Sequence, residues 1–168
     1  LLSIAMLMLS MLSCTSCKPE ADTTDSAPGP ITWDTCSQQI NDHPCDFTLP
    51  DQHGEPWSLY NAYGSIVVLD FSAAWCGYCQ LAGGTTQTLQ DAYAEDVVYV
   101  TVLVDDLYGA AATVEVAAEW ADMYSITAPV LVGSRDMLDA SGLDGWPVSG
   151  WPRFFFIDKE MTLVHSLA

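Results

Sequence analysis

Two cysteines with two residues between them, in Trp75-Cys76-Gly77-Tyr78-Cys79, are the residues of this chain best suited to chemistry. An apolar run, Ile66-Val67-Val68-Leu69-Asp70-Phe71, precedes them, and a segment with helical character follows. A thiol pair where a strand hands over to a helix suits thiol–disulfide exchange. Cys76 would sit at the helix N-terminus, where unpaired backbone N–H groups and the positive end of the helix dipole favour the thiolate. Cys79, one turn on, would attack a mixed disulfide formed at Cys76 and release the partner. A zinc half-site is the competing use, but it needs two further ligands, and no Cys or His follows until His165. His43, His53 and His165 read as surface or hydrogen-bonded residues rather than ligands, and no metal or cofactor is expected. The other cysteines also fall in pairs, Cys14 with Cys17 and Cys36 with Cys45, which points to an oxidising compartment. Cys36 and Cys45 enclose a polar loop. A structural disulfide there is worth about 2.5–3 kcal/mol in the chain-entropy view. A second redox or metal pair with His43 is the alternative.

The elements that must position Cys76 follow from patterning. Phe47–Leu49 and Trp57–Leu59 read as short strands around the turn residues Asp51-Gln52-His53-Gly54. Ile66–Phe71 and Val97–Val104 are near-continuous apolar runs, as strands buried on both faces require. A helix is expected over Gln80–Ala94, weakened or bent by Gly83-Gly84. A second is expected over Ala110–Tyr124. Pro129–Val132 opens another strand, Met137–Leu143 reads as a short helix, and Gly145–Trp151 as a loop. Phe154–Ile157 and Met161–His165 form a closing hairpin about Lys159-Glu160. The order is that of an α/β protein with a mixed sheet.

Several stretches together resemble the thioredoxin-fold proteins of the TlpA/ResA-like branch, grouped with the redoxin and AhpC/TSA families. They are Asp46-Phe47-Thr48-Leu49-Pro50-Asp51 with Gly54 and Trp57-Ser58-Leu59, the Trp-Cys-x-x-Cys segment, Ala128-Pro129-Val130-Leu131, and Gly150-Trp151-Pro152-Arg153-Phe154-Phe155-Phe156-Ile157-Asp158. The resemblance runs from about Asp46 to the last residue. It implies a thioredoxin-like mixed sheet flanked by helices, with an N-terminal β-hairpin extension. The family's usual final helix is missing from the sequence as it stands. It also implies a thiol–disulfide oxidoreductase whose partners are protein thiols or disulfides. Asp70 matches the buried acid of thioredoxin; in an apolar strand its pKa should rise, and near Cys79 it could take that thiol's proton. Pro152 matches the cis-proline that faces the cysteine pair and lets neighbouring backbone pair with an extended substrate; Pro147 is its rival. Trp75 and Trp151 would flank the site with apolar contact area. Arg153 would lie beside the cis-proline and bias Cys76 towards thiolate or receive an acidic group.

Composition limits the remaining readings. The formal net charge is -18, from 22 acidic and 4 basic residues, which argues against nucleic acid and against electrostatic docking on anionic lipid. Residues 1–13 are apolar and uncharged, like the core of an export signal. Met11-Leu12-Ser13-Cys14 resembles a bacterial lipobox, so Cys14, or failing it Cys17, is a candidate for lipid attachment to a membrane. Residues 14–30 hold that site and a Thr/Asp/Ser/Pro-rich tether, and 31–168 the thioredoxin-like domain. Two other functions fit the cysteine segment less well. A peroxiredoxin would place a Ser or Thr where Ala73 stands, three residues before Cys76, with a Pro upstream. A copper-binding assembly factor of thioredoxin type would need three residues between the cysteines and a partner His.

Overall fold

The computed structural model describes residues 31–168. The stretch 1–13 expected to be an export signal, Cys14, Cys17 and the expected tether to residue 30 lie outside the described residues. Two short strands, β1 (Thr48–Pro50) and β2 (Pro56–Ser58), pair as an antiparallel hairpin about the turn at Asp51–Gly54. Gly54 has φ +80°, a conformation few other residues adopt without strain. The hairpin is fastened to the main sheet by the buried Gln52. Its side chain donates to the Ala128 carbonyl and accepts from the Val130 amide.

The main sheet is built on β3 (Ile66–Ser72), the apolar run ahead of the cysteines. It lies parallel to β4 (Val97–Leu103), which is parallel to β5 (Val130–Val132). On its other side β3 pairs antiparallel with β6 (Arg153–Ile157), which turns into β7 (Leu163–Leu167). The spatial order is β5-β4-β3-β6-β7, so β3 is central and protected on both edges. One face buries Val67, Leu69 and Phe71 with Val100, Val102, Phe155 and Ile157. Trp146, in the segment expected to be a loop, is a core anchor here. Its ring lies 5.4 Å from Phe71 and 4.9 Å from Phe155.

The first helix, α1 (Gly77–Ala92), joins β3 to β4. Its buried positions are Cys79, Gly83 and Thr86, a stripe of small residues at spacings of four and three. The second helix, α2 (Val114–Tyr124), is shorter than the sequence pattern suggests; Thr113 caps it by accepting the Val116 amide. Helix α1 runs unbroken through Gly83 and Gly84. A Cβ on Gly83 would stand 2.8 Å from the Trp120 ring and 3.0 Å from Tyr124, so this glycine permits close approach of α2. The expected helix at Met137–Leu143 is absent. A single 3-10 turn, Arg135–Met137, ends where Leu138 extends to bridge Trp146. Anchoring Trp146 in the core outweighs local helix propensity. β7 is the last described element.

Cys36 and Cys45 form a disulfide with Cα atoms 4.8 Å apart, as the structural reading of that pair expected. The loop they close pairs by backbone with the β6–β7 hairpin: the Asn41 amide donates to the Leu163 carbonyl, and the Leu163 amide to Asp42. His43 bonds the Met161 carbonyl through Nδ1 and stacks on Trp33 at 3.9 Å, so it is a packed residue.

Candidate active site at the carboxyl ends of the parallel strands

Register decides what meets at the site. β3 and β4 are parallel and in step, so their carboxyl ends, Ser72 and Leu103, share one end of the sheet. β6 is antiparallel to β3 with Phe71 opposite Arg153, so β6 begins at that same end. The chain after β3 and the chain before β6 are therefore neighbours, although about 75 residues separate them in sequence. The first carries Trp75 and Cys76, the second Trp151 and Pro152. The Trp151–Pro152 bond is cis and the Gly-Trp-Pro rival at Pro147 is not, in keeping with the choice of Pro152.

Cys76 is the N-cap of α1. It has extended backbone, and its sulfur accepts the Cys79 amide at 3.2 Å. One of the helix's unpaired amides thus points at the sulfur, a placement that favours negative charge there once the thiol is free. Cys76 and Cys79 are joined as a disulfide with Cα atoms 5.2 Å apart. Cys76 retains 6% exposure and Cys79 none, so an incoming group meets Cys76 first.

The segment ahead of Cys76 is tied down by groups that sequence reasoning did not single out. Asp105, just past β4, accepts the Trp75 indole N–H at 2.8 Å through its carboxylate, and its backbone carbonyl accepts the Ala74 amide at 3.0 Å. Arg135 grips the same carboxylate with two donors, Nε at 2.8 Å and Nη2. Gln80 reaches back from α1 to the Ala74 carbonyl at 2.8 Å. Burial pushes the Asp105 pKa up, but the Arg135 and Trp75 hydrogen bonds and the Arg135 charge outweigh it, and the net shift is downward. The available signals were an Asp-Asp pair closing a buried strand and one of only four cations. Trp75 keeps 42% exposure, an aromatic surface next to Cys76.

Asp70 is fully buried in β3, on the face that also carries Val68 and Tyr99. It accepts Ser72 Oγ at 2.8 Å and Tyr99 OH at 3.4 Å. Burial raises its pKa to about 7, against the opposing pull of those two hydrogen bonds. Tyr99 is in turn pushed up by its own burial and by the Asp70 charge, and its backbone amide donates to the Gln90 side chain of α1 at 2.8 Å. Arg153 follows Pro152 directly, yet its guanidinium is directed into the sheet: Nη2 donates to Ser166 of β7, and the group lies 5.7 Å above the Phe155 ring. Trp151 is half-buried against the core. The Cys36–Cys45 bridge lies apart, against the turn at the opposite end of β6. Among the described residues there is no cluster of three or more His, Cys, Asp or Glu side chains able to hold a metal. No helix among them is long and apolar enough to cross a membrane.

Comparison with known proteins agrees with this arrangement. Residues 40–166 match the AhpC/TSA family. The thioredoxin-like protein YneN of Bacillus subtilis is 29% identical over 116 residues, which span 68% of this chain but 63% of YneN. A crystal structure described as a thiol:disulfide interchange protein DsbE from Chlorobium tepidum is 27% identical. It superposes with a TM-score of 0.58 over 76% of this chain and 84% of that one. The pneumococcal exposed lipoprotein thioredoxin Etrx1 of Streptococcus pneumoniae is also 27% identical, with a TM-score of 0.58 over 73% and 88% of the two chains.

Proposed function

Because the chain belongs to the AhpC/TSA family, and because Cys76 caps a helix at the end of the sheet where a cis-proline precedes β6, we propose that it is an extracytoplasmic thiol–disulfide oxidoreductase acting on proteins. The observation that carries this is the placement of Cys76: it is the N-cap of α1, accepts the Cys79 amide, is joined to Cys79, and is the more exposed of the two. The names borne by YneN, the Chlorobium protein and the pneumococcal lipoprotein support the same chemistry.

In the reducing direction, the Cys76 thiolate attacks one sulfur of a partner disulfide, and the partner's other sulfur leaves as a thiolate and takes a proton. Cys79, once deprotonated, attacks Cys76 and expels the second partner sulfur. Two electrons pass from the Cys76/Cys79 dithiol to the partner, and the bond between positions 76 and 79 forms. The oxidising direction is the reverse sequence, and the reduction potential selects between them. Asp70 is the base for the resolving step: an acid with a pKa of about 7 under α1 takes the Cys79 proton at neutral pH. The cis Trp151–Pro152 edge receives an extended partner segment, with Trp75 and Trp151 as apolar flanks. Arg153 supports that edge by fixing the start of β6 to β7. The reading includes export through residues 1–13 and lipid attachment at Cys14, and the description of the pneumococcal neighbour as an exposed lipoprotein supports it.

The test is trapping. A Cys79→Ala variant, reduced and then exposed to oxidised cell-envelope proteins, should accumulate a mixed disulfide through Cys76, which mass spectrometry would identify. A Cys76→Ala variant should accumulate none. Equal trapping by both variants would remove Cys76 as the nucleophile.

A further inference from the structure

A groove of about 320 Å³ lies beside the nucleophile on its β4 side, across from the cis-proline on the β6 side. It runs from Ala74 and Gln80, which bracket the cysteine pair, to the outer face of α2. Its walls are Leu107, Tyr108, Trp120 and Met123, and its carboxylates are Asp106 and Glu119. Tyr108 is 94% exposed and Met123 65%.

The loop bearing Leu107 and Tyr108 is built, not slack. The Asp106 carboxylate accepts the Tyr108 amide at 2.7 Å and the Ala110 amide at 2.9 Å. The Asp106 amide donates to the Ala110 carbonyl, and Asp105 bridges Ala111. A loop ordered by its own hydrogen bonds thus holds an aromatic ring in water at the edge of an apolar groove. Such large exposed side chains, pre-placed at little entropic cost, are what a docking surface offers a partner. The loop's first residue is Asp105, which also holds Trp75 and Ala74, so whatever docks here is held in fixed relation to Cys76.

Charge selects the occupant. Neither α1 nor α2 contains a Lys or Arg, and the charged side chains that line the groove are the carboxylates Asp106 and Glu119. None of the three cations among the described residues lines the groove: Arg135 is paired with Asp105 at the base of its loop, Arg153 is bonded to Ser166, and Lys159 is paired with Asp96. A second copy of a chain of net charge -18 would be repelled from this groove.

We propose that the groove docks the substrate polypeptide, and that it selects substrates carrying a Lys or Arg next to a large apolar side chain near the reacting cysteine. The apolar side chain lies between Tyr108 and Met123, and the cation meets Glu119 and Asp106. This reading rests on Cys76 being the nucleophile and adds the class of substrate it serves.

The experiment uses reduced protein and synthetic peptides whose single cysteine is held as a mixed disulfide with thionitrobenzoate, with thionitrobenzoate release followed by stopped flow. One peptide places Lys-Phe beside the cysteine, a second Glu-Phe, a third Lys-Ser, and a peptide-free aromatic disulfide sets the reference rate. The Lys-Phe peptide should react about tenfold faster than the Glu-Phe peptide at low salt, a gap that narrows in high salt as surface charges are screened. Tyr108→Ser and Met123→Ser should each lower the ratio of the Lys-Phe rate to the reference rate about threefold or more, as lost apolar contact requires. Glu119→Gln should narrow the Lys/Glu gap, whereas Glu95→Gln, in the turn beyond the C-terminal end of α1, should not. Three peptides of equal rate, or ratios unmoved by Tyr108→Ser and Met123→Ser, overturn the proposal. So does a dimer seen in sedimentation that Tyr108→Ser dissolves without altering peptide preference, since the groove would then join two copies. Failure to react even with the reference disulfide would refute the oxidoreductase reading, and the groove's role with it.

Discussion

Replacing Asp70 by Asn removes a carboxyl that burial holds at a pKa of about 7, against 3.8 for the ordinary side chain. Between those values the folded state keeps the proton and the unfolded chain has lost it. Stability therefore falls as pH rises through this window, in contrast to a salt-bridged acid. At about 1.36 kcal/mol per pH unit, the full span corresponds to roughly 4 kcal/mol. Between pH 5 and pH 8 the share is about 2–3 kcal/mol, because part of the fall is complete by pH 5 and nearly all of it by pH 8. Full burial leaves little solvent screening to discount. The Asn variant keeps the shape and can accept from Ser72, so its stability should lack this slope. Urea titrations of the oxidised proteins at several pH values between 5 and 8 would measure both curves. The wild-type curve should drop by about 2–3 kcal/mol relative to Asp70→Asn across that range. Parallel curves would mean that Asp70 is ionised in the folded protein throughout, and its assignment as the base for Cys79 would fail with them.

Three further outcomes follow from packing and charge. Gly83→Ala should destabilise by about 1–3 kcal/mol, because its Cβ meets the rings of Trp120 and Tyr124; Gly84→Ala, with nothing within 4 Å, should not, and thermal melts would compare them. A Cys36→Ser/Cys45→Ser double variant should lose about 2.5–3 kcal/mol in denaturant, while the Cys76–Cys79 potential stays unchanged because the bridge lies at the opposite end of the sheet. Arg135→Ala strips two donors from the buried Asp105 carboxylate and should cost about 1–3 kcal/mol. It should also shift the fluorescence of Trp75, whose indole bonds the same group; a spectrum identical to wild type would show that Arg135 does not hold that ring.

Much of this protein was readable from its residues alone. Ile66–Phe71 and Val97–Val104 could be read as buried strands because an apolar run with no polar face has nowhere else to go. The cysteine spacing, followed by helical sequence, pointed to the N-terminus of a helix as the place of the reactive sulfur, and Cys76 is that helix's cap. A carboxyl inside an apolar strand is costly to ionise wherever the strand lies, so the direction of the Asp70 shift was available before any coordinates. Local chemistry of this kind depends on neighbours in sequence.

Tertiary structure decided what depends on neighbours in space. Whether Gly83-Gly84 bends a helix or lets another one approach turned on Trp120, almost forty residues away. Trp146 looked like part of a loop until Phe71 and Phe155 were found around it. The clamp of Arg135 and Asp105 on Trp75 joins three segments that no periodicity connects. Registry of β6 against β3 sets the cis-proline at the same end of the sheet as the segment that leads to the cysteine pair. Backbone pairing across a sheet sums many contacts between distant segments, and no short stretch of sequence carries that sum.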